Sequence, residues 1–189
     1  MSPVAAPQLL RAPAMRARRA ALGLSAAAVF FSLIFGVLLR RWLAFPHPDD
    51  EPLALAAALS FLLVAFLLRI IASIFELLWL ERTWGNLPED LRRVGPIDKV
   101  ESVMVVGFAF VPVLAWFWKL ALIAGIANGF ETVRTRVPFT APVPKGLGVA
   151  AAMMGWIPGL NVYVAPFLWE MFARRIDRVC VELGAPPGA

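Results

Sequence analysis

Four long apolar runs dominate this chain, and each is long enough to cross a lipid bilayer as a helix, which takes about 20 mostly apolar residues. The first, ALGLSAAAVFFSLIFGVLL at Ala21–Leu39, has no charge. The second starts at Pro52, stays uncharged to Leu68, and continues through Arg69 and Glu76 to about Leu80. The third, Ser102–Phe130, is interrupted by Lys119 before Asn128, and the fourth, Gly146–Trp169, is uncharged throughout. A soluble bundle helix carries a polar face at every turn; these runs are apolar all round, so lipid rather than water is their expected solvent. The residues predict an all-α polytopic membrane protein with four transmembrane helices over about 21–43, 52–80, 102–128 and 147–170. The transmembrane domain is then 20–178, between a basic disordered tail at 1–19 and a flexible tail at 179–189.

Lysine and arginine near the spans set the expected orientation. Arg11, Arg16, Arg18 and Arg19 precede the first run, Arg82, Arg92, Arg93 and Lys99 follow the second, and Arg174, Arg175 and Arg178 follow the fourth. Four spans put these on one side, against Arg40, Arg41, Arg134, Arg136 and Lys145 on the other. Both termini are therefore expected in the cytoplasm. This asymmetry accounts for most of the +5 net charge, so no nucleic-acid partner follows from it. The chain is 60% hydrophobic and 16% charged, whereas soluble domains are about 45–50% apolar and about a quarter charged. The expected location is the bacterial cytoplasmic (inner) membrane. An arginine-rich, acid-free start also admits a mitochondrial inner-membrane location as the lesser alternative. Cys180 is the only cysteine, which rules out an intrachain disulfide. Its juxtamembrane position admits palmitoylation, and an inert thiol is the expectation.

Asp49, Asp50 and Glu51 precede Pro52, where acids meet the positive end of a helix dipole; capping is expected there rather than a hard-cation site. His47 is the only histidine, which excludes a multi-histidine metal or haem site within the chain. The second run is about 43 Å long as a helix, more than the roughly 30 Å of hydrocarbon, so it should tilt or protrude through ELLWLERTW. That places Trp79 and Trp84 at or beyond the inner interface, where tryptophan is favoured. Small residues recur every fourth position at Ala28, Ser32 and Gly36, at Ala121, Gly125 and Gly129, and at Ala151, Gly155 and Gly159. Such stripes let helix backbones approach within a bundle or an oligomer.

A weak internal repeat competes with coincidence. NLPEDLR (Asn86–Arg92) and NGFETVR (Asn128–Arg134) share N-x-x-E-x-[LV]-R, and FVPVLA at Phe110–Ala115 aligns with WIPGLN at Trp156–Asn161. One span per copy makes the two copies inverted in the membrane, an arrangement that recurs in transporters. Pro112, Pro158 and Pro166 are expected helix breaks, since proline removes one backbone donor and crowds the carbonyl four residues back. Asn161 is close enough to satisfy a freed carbonyl or to hydrogen-bond another helix.

The polar groups within the runs are Arg69, Glu76, Lys119 and Asn161. A charge at the bilayer centre costs at least about 2.5–3.5 kcal/mol, so each marks a candidate site. Arg69 and Glu76 share a face two turns apart; as anchors, Arg69 snorkels inward and Glu76 reaches headgroups. Lys119 lies about 16 Å deep if its run is a straight helix, and no carboxylate matches its depth. Glu170, at the end of the fourth run, calls for no special role. No nucleotide, hydrolase, zincin or C-x-x-C motif is present, and one histidine, one cysteine and one tyrosine leave little for nucleophilic catalysis. Neither an enzyme nor a bound cofactor is expected.

WLERTWGNL at Trp79–Leu87 resembles W-L-x-R-x-[YW]-x-N-L, the signature of a bacterial multi-span membrane family catalogued as a domain of unknown function. Trp79, Leu80, Arg82, Trp84, Asn86 and Leu87 carry the likeness, and Trp156, Pro158, Asn161 and Pro166 are similar to a later motif of that family with altered spacing. The resemblance implies a bacterial membrane protein and no activity. The leading expectation is a structural, accessory or assembly subunit that packs against the bilayer and against other membrane subunits or itself. The alternative is a small transporter or channel built on Lys119, Asn161 and the breaks at Pro112 and Pro158.

Overall fold

A computed structural model of the protein describes residues 11–44, 51–95, 97, 99–157 and 159–184. Asp49, Asp50, His47 and Pro158 lie outside the described residues. Among those described the chain is all-helical, with seven α-helices and two 3-10 turns. Helices α1 (Met15–Ala44) and α2 (Glu51–Gly85) form an antiparallel pair. Both are long and apolar enough to cross a membrane. Small side chains close the pair: Ala21, Ser25 and Ala28 on α1, and Ala58, Ala65 and Ala72 at seven-residue intervals on α2, are all buried.

The third and fourth apolar runs are not single helices, which overturns the expectation of straight spans over 102–128 and 147–170. The third forms α3 (Ser102–Gly107), a 3-10 turn (Phe108–Phe110) and α4 (Pro112–Arg136). Pro112 opens α4, where its missing N–H costs nothing and its fixed φ suits a helix start. The Trp118 indole donates at 3.1 Å to the Val105 carbonyl, in the last turn of α3. The fourth run forms α5 (Lys145–Met154), α6 (Leu160–Tyr163) and α7 (Ala165–Glu182). Gly159 holds φ +84°, a left-handed value that disfavours any side chain, and Pro166 lies in the first turn of α7. The Met154 carbonyl accepts from the Ile157 backbone N–H at 3.3 Å, so Asn161 is not its partner.

Helices α3–α4 and α5–α7 are therefore two hairpins, and both open toward the same end of the molecule. At that end Arg136 pairs with Asp90 at 2.6 Å, Gly129 abuts Leu87, Glu182 accepts from the Thr140 and Ala141 amides, and Arg18 of α1 meets Asp177 of α7 at 3.1 Å. Arg134, Arg136 and Lys145 thus stand with the loop after α2, not opposite it. The tips of both hairpins reach Arg69 and Ser73, near the middle of α2, and α6 stands beside Ser32 and Leu62. Beyond the tips, the far halves of α1 and α2 stand clear, with Leu33, Val37, Leu53 and Leu63 more than half exposed.

The repeat is corrected accordingly. NLPEDLR forms a turn and the 3-10 segment Glu89–Leu91, whereas NGFETVR lies within α4. FVPVLA and the described residues of WIPGLN both fall at hairpin tips, but the hairpins enter from the same end and are not inverted.

The core sits at the hairpin end. Trp79, Trp84, Leu87, Ile123, Ile126, Phe172 and Ile176 are fully buried there. The protruding part of α2 thus feeds a protein core, and Trp79 and Trp84 are core residues rather than interface anchors. The small-residue stripes divide. Gly125 and Gly129 receive Trp84 and Leu87, Gly155 lies against its own helix, and Gly36 has open space beside it. The assigned tails are shorter than expected: α1 starts at Met15 with Arg18 buried, and α7 runs to Glu182 with Cys180 buried. Burial pushes the Cys180 thiol up to about 12, as an inert thiol requires.

A methyl group on Gly148 would lie 2.6 Å from Ile123 and 2.7 Å from Phe172. Gly148→Leu is therefore expected to cost at least about 1–3 kcal/mol through overpacking, read by thermal unfolding in detergent. Gly36→Leu, with nothing within 4 Å, should leave the transition unchanged.

Candidate functional site

Three of the four polar residues within the apolar runs meet. Glu76 is buried, with its side chain 2% exposed, and each of its carboxylate oxygens has a cationic partner. The Arg69 guanidinium donates to Oε1 at 2.8 Å and the Lys119 ammonium donates to Oε2 at 2.5 Å. Arg69 reaches Glu76 because seven residues make two turns of α2; Lys119 reaches it because Pro112 starts α4 beside the middle of α2 and the helix then runs down along it. Lys119 therefore has a carboxylate at its own level, Glu76, contrary to the expectation from a straight third helix. Arg69 and Glu76 are not headgroup anchors.

Lys119 also stands over the Trp169 ring, 4.8 Å from its centroid. Trp169 packs edge-on to Trp79 at 5.3 Å, which ties α7 to α2 just below the triad. Two cations against one carboxylate leave one positive charge in excess. Both cations face a cavity of about 240 Å³ whose lining includes Ser73, Trp118, Trp156 and Asn161. A second cavity, of about 180 Å³, shares Arg69, Ser73 and Asn161 and is otherwise lined mainly by α2, with Ser32 of α1 and Val162 of α6. Asn161 is half-buried between the two, so all four predicted polar residues belong to one locale. Both hairpin tips contribute to it: Ala109 and Ala115 flank the first break, Gly155 and Asn161 the second.

A second charged cluster, which the flanking charges do not announce in the sequence, lies toward the hairpin end. Arg18 of α1 lies 3.7 Å from Glu170 and 3.1 Å from Asp177, both on α7, and Arg174 donates to Glu170 at 2.7 Å. The Trp79 indole donates to Asp177 at 2.9 Å. Burial holds the Asp177 carboxyl above its usual range despite Arg18. The available signal was the seven-residue spacing of Glu170 and Asp177, two turns of a helix whose other face is apolar. An open pocket of about 620 Å³ is lined by Arg18, Arg19, Glu170, Arg174 and Asp177.

The family-like motif is structural in this fold. Trp84 donates to the Val100 carbonyl at 2.8 Å, and the Asn86 side chain pairs with both backbone groups of Arg11, at 2.8 and 2.9 Å. Arg82 is exposed. Arg92 supplies what the motif lacks, donating to the Gly85 and Leu87 carbonyls at 2.9 Å each and closing the end of α2. Comparison of the chain with protein-family models, curated proteins and solved structures finds no match.

Glu76→Leu removes the only carboxylate from between two largely buried cations. It is expected to cost about 3–5 kcal/mol in denaturant unfolding, and Lys119→Met, which keeps the Arg69–Glu76 pair, clearly less.

Proposed function

We propose that the chain is an integral protein of the bacterial cytoplasmic membrane that binds a small organic anion in the cavity between its hairpin tips, as part of a small carrier or channel. In this reading α1 and α2 cross the bilayer, and the two hairpins re-enter from the cytoplasmic side without crossing. Only Arg40 and Arg41 then stand at the far end, a stronger positive-inside bias than four spans give. The apolar residues exposed around the tips, Val111, Leu114, Phe117, Ile157 and Phe167 among them, then face lipid.

The observation that carries the reading is that both helix breaks converge on a cavity lined by two cations, Arg69 and Lys119, whose one shared carboxylate, Glu76, is buried outside that lining. Irregular backbone at membrane depth is tolerated where it is buried or lines a cavity, and broken helices of this kind form solute sites in transporters. The excess charge selects a monoanion, and Trp118, Trp156 and Leu77 give it an apolar seat. An aromatic or short-chain monocarboxylate satisfies both demands.

Benzoate and its neutral counterpart benzamide test this by calorimetry on the purified full chain in nanodiscs. Benzoate is expected to bind and benzamide not. Lys119→Met should weaken benzoate by at least about tenfold, as loss of a charged hydrogen bond implies, and Arg40→Gln should leave it unchanged. No benzoate binding, or equal binding of both compounds, would contradict the proposal.

The accessory-subunit reading keeps one specific support, the far halves of α1 and α2, where Gly36 leaves an uncovered face. A monomer without a co-purifying chain in mild detergent removes it.

A further inference from the structure

One face of α2 runs along both cavities. Leu62, Phe66, Arg69, Ser73 and Leu77 follow one another at three- or four-residue intervals, which sets them in a single stripe. Leu62 and Phe66 line the smaller cavity, Leu77 the larger, and Arg69 and Ser73 both. The two cavities therefore adjoin at Arg69, along a stretch of α2 about 22 Å long at the helical rise. Asn161 of α6 also lines both, and its side-chain amide makes no hydrogen bond among the described residues. The two cavities differ in character. Lys119 lines the larger one alone, whereas beyond Arg69 the smaller is walled chiefly by hydrocarbon, from Leu62, Phe66 and Ile70 of α2 and Val162 of α6. Leu62, Phe66 and Ile70 are 41%, 62% and 45% exposed, so the smaller cavity is a groove open along one side. With α1 and α2 across the bilayer, that side faces lipid.

We infer that the anion taken at Arg69 and Lys119 is a single-chain monocarboxylate of the fatty-acid class, whose hydrocarbon chain lies along α2 in the smaller cavity. The inference deepens the anion-site reading above and rests on it. Charge fixes the head of the ligand. Glu76 accepts one hydrogen bond from each cation, and both cations keep further N–H donors for an incoming carboxylate. The free Asn161 amide adds a donor at the junction of the two cavities. Apolar walls fix the tail, as in ligand sites where a few polar groups orient a mostly apolar molecule. The smaller cavity, at about 180 Å³, exceeds the roughly 150 Å³ of an apolar cavity that admits benzene, so it has room for one chain of medium length. The opening toward lipid gives such a chain a way in, because an amphipathic acid dissolved in the bilayer meets the groove from the side. A compact anion such as benzoate uses the head site alone.

The test is displacement of labelled benzoate from the full chain in nanodiscs by butyrate, hexanoate and octanoate, with empty nanodiscs as the blank and octanol as the uncharged chain. A fully buried methylene is worth about fourfold in affinity, and the groove is open on one side, so a gain of at least about tenfold from butyrate to octanoate is expected. Octanol should not displace benzoate. Val162→Trp, which fills the groove, should bring octanoate down to the affinity of butyrate. Gly36→Leu, on a face of α1 with nothing within 4 Å, should keep the full gain. Equal affinity along the series, or a gain that persists in Val162→Trp, overturns the chain site while leaving the anion site standing. Displacement by octanol as strong as by octanoate overturns it too. Absence of benzoate binding overturns both readings. If Val162→Trp does not fold, the wild-type series decides: affinity that fails to rise with chain length refutes the inference.

Discussion

The arrangement depends on one carboxylate. Glu76 is buried in the middle of the molecule and holds Arg69 of its own helix and Lys119 of the first hairpin. Each charge alone would be costly at that depth; together they hold the start of α4 against α2, and Trp169 brings α7 to the same point by packing under Lys119. Removing Glu76 would therefore both unpair two cations and free the hairpin tips from the helix they lean on.

That ion triad explains why broken helices can exist here. The turns after α3 and after α5 interrupt apolar runs, and in the proposed membrane setting every backbone group they release needs a partner away from lipid. Trp118 serves the end of α3, and the Ile157 amide serves the end of α5. The tips enclose a cavity against α2 that Arg69 and Lys119 line, so the same interaction that anchors the hairpins also supplies the charge of the proposed site. The hairpin end holds the packed core: Trp79, Trp84 and Leu87 fill it, and the Asp177–Arg18 contact ties α7 to α1.

Much of this was legible in the sequence. Uncharged runs identify α1 and α2, proline and glycine mark both hairpin breaks, and Lys119, Asn161, Arg69 and Glu76 stand out as polar residues in apolar surroundings. Their meeting is not legible there, because a straight third helix places Lys119 at a depth that no carboxylate shares. Once Pro112 starts a new helix halfway down α2, that reckoning fails and Glu76 comes level with Lys119. Trp79 and Trp84 misled for a related reason. Tryptophan at a helix end suits both a membrane interface and a core, and only the tertiary packing of Gly125, Leu87 and Phe172 decides between them. Arg18, Glu170 and Asp177 look like ordinary flanking charges until α7 is seen to end beside the start of α1.

The central claim is that the two hairpins enter and leave on one side of the membrane, and cysteine accessibility tests it most directly. Single cysteines at Glu89, Thr140 and Arg41, each in a Cys180→Ala chain, are exposed to a membrane-impermeant maleimide in intact cells and in inverted vesicles. The account predicts that Glu89→Cys and Thr140→Cys react from the same, cytoplasmic side and Arg41→Cys from the opposite one. Reaction of Thr140→Cys on the same side as Arg41→Cys would mean that the third and fourth runs cross the bilayer, and would contradict it.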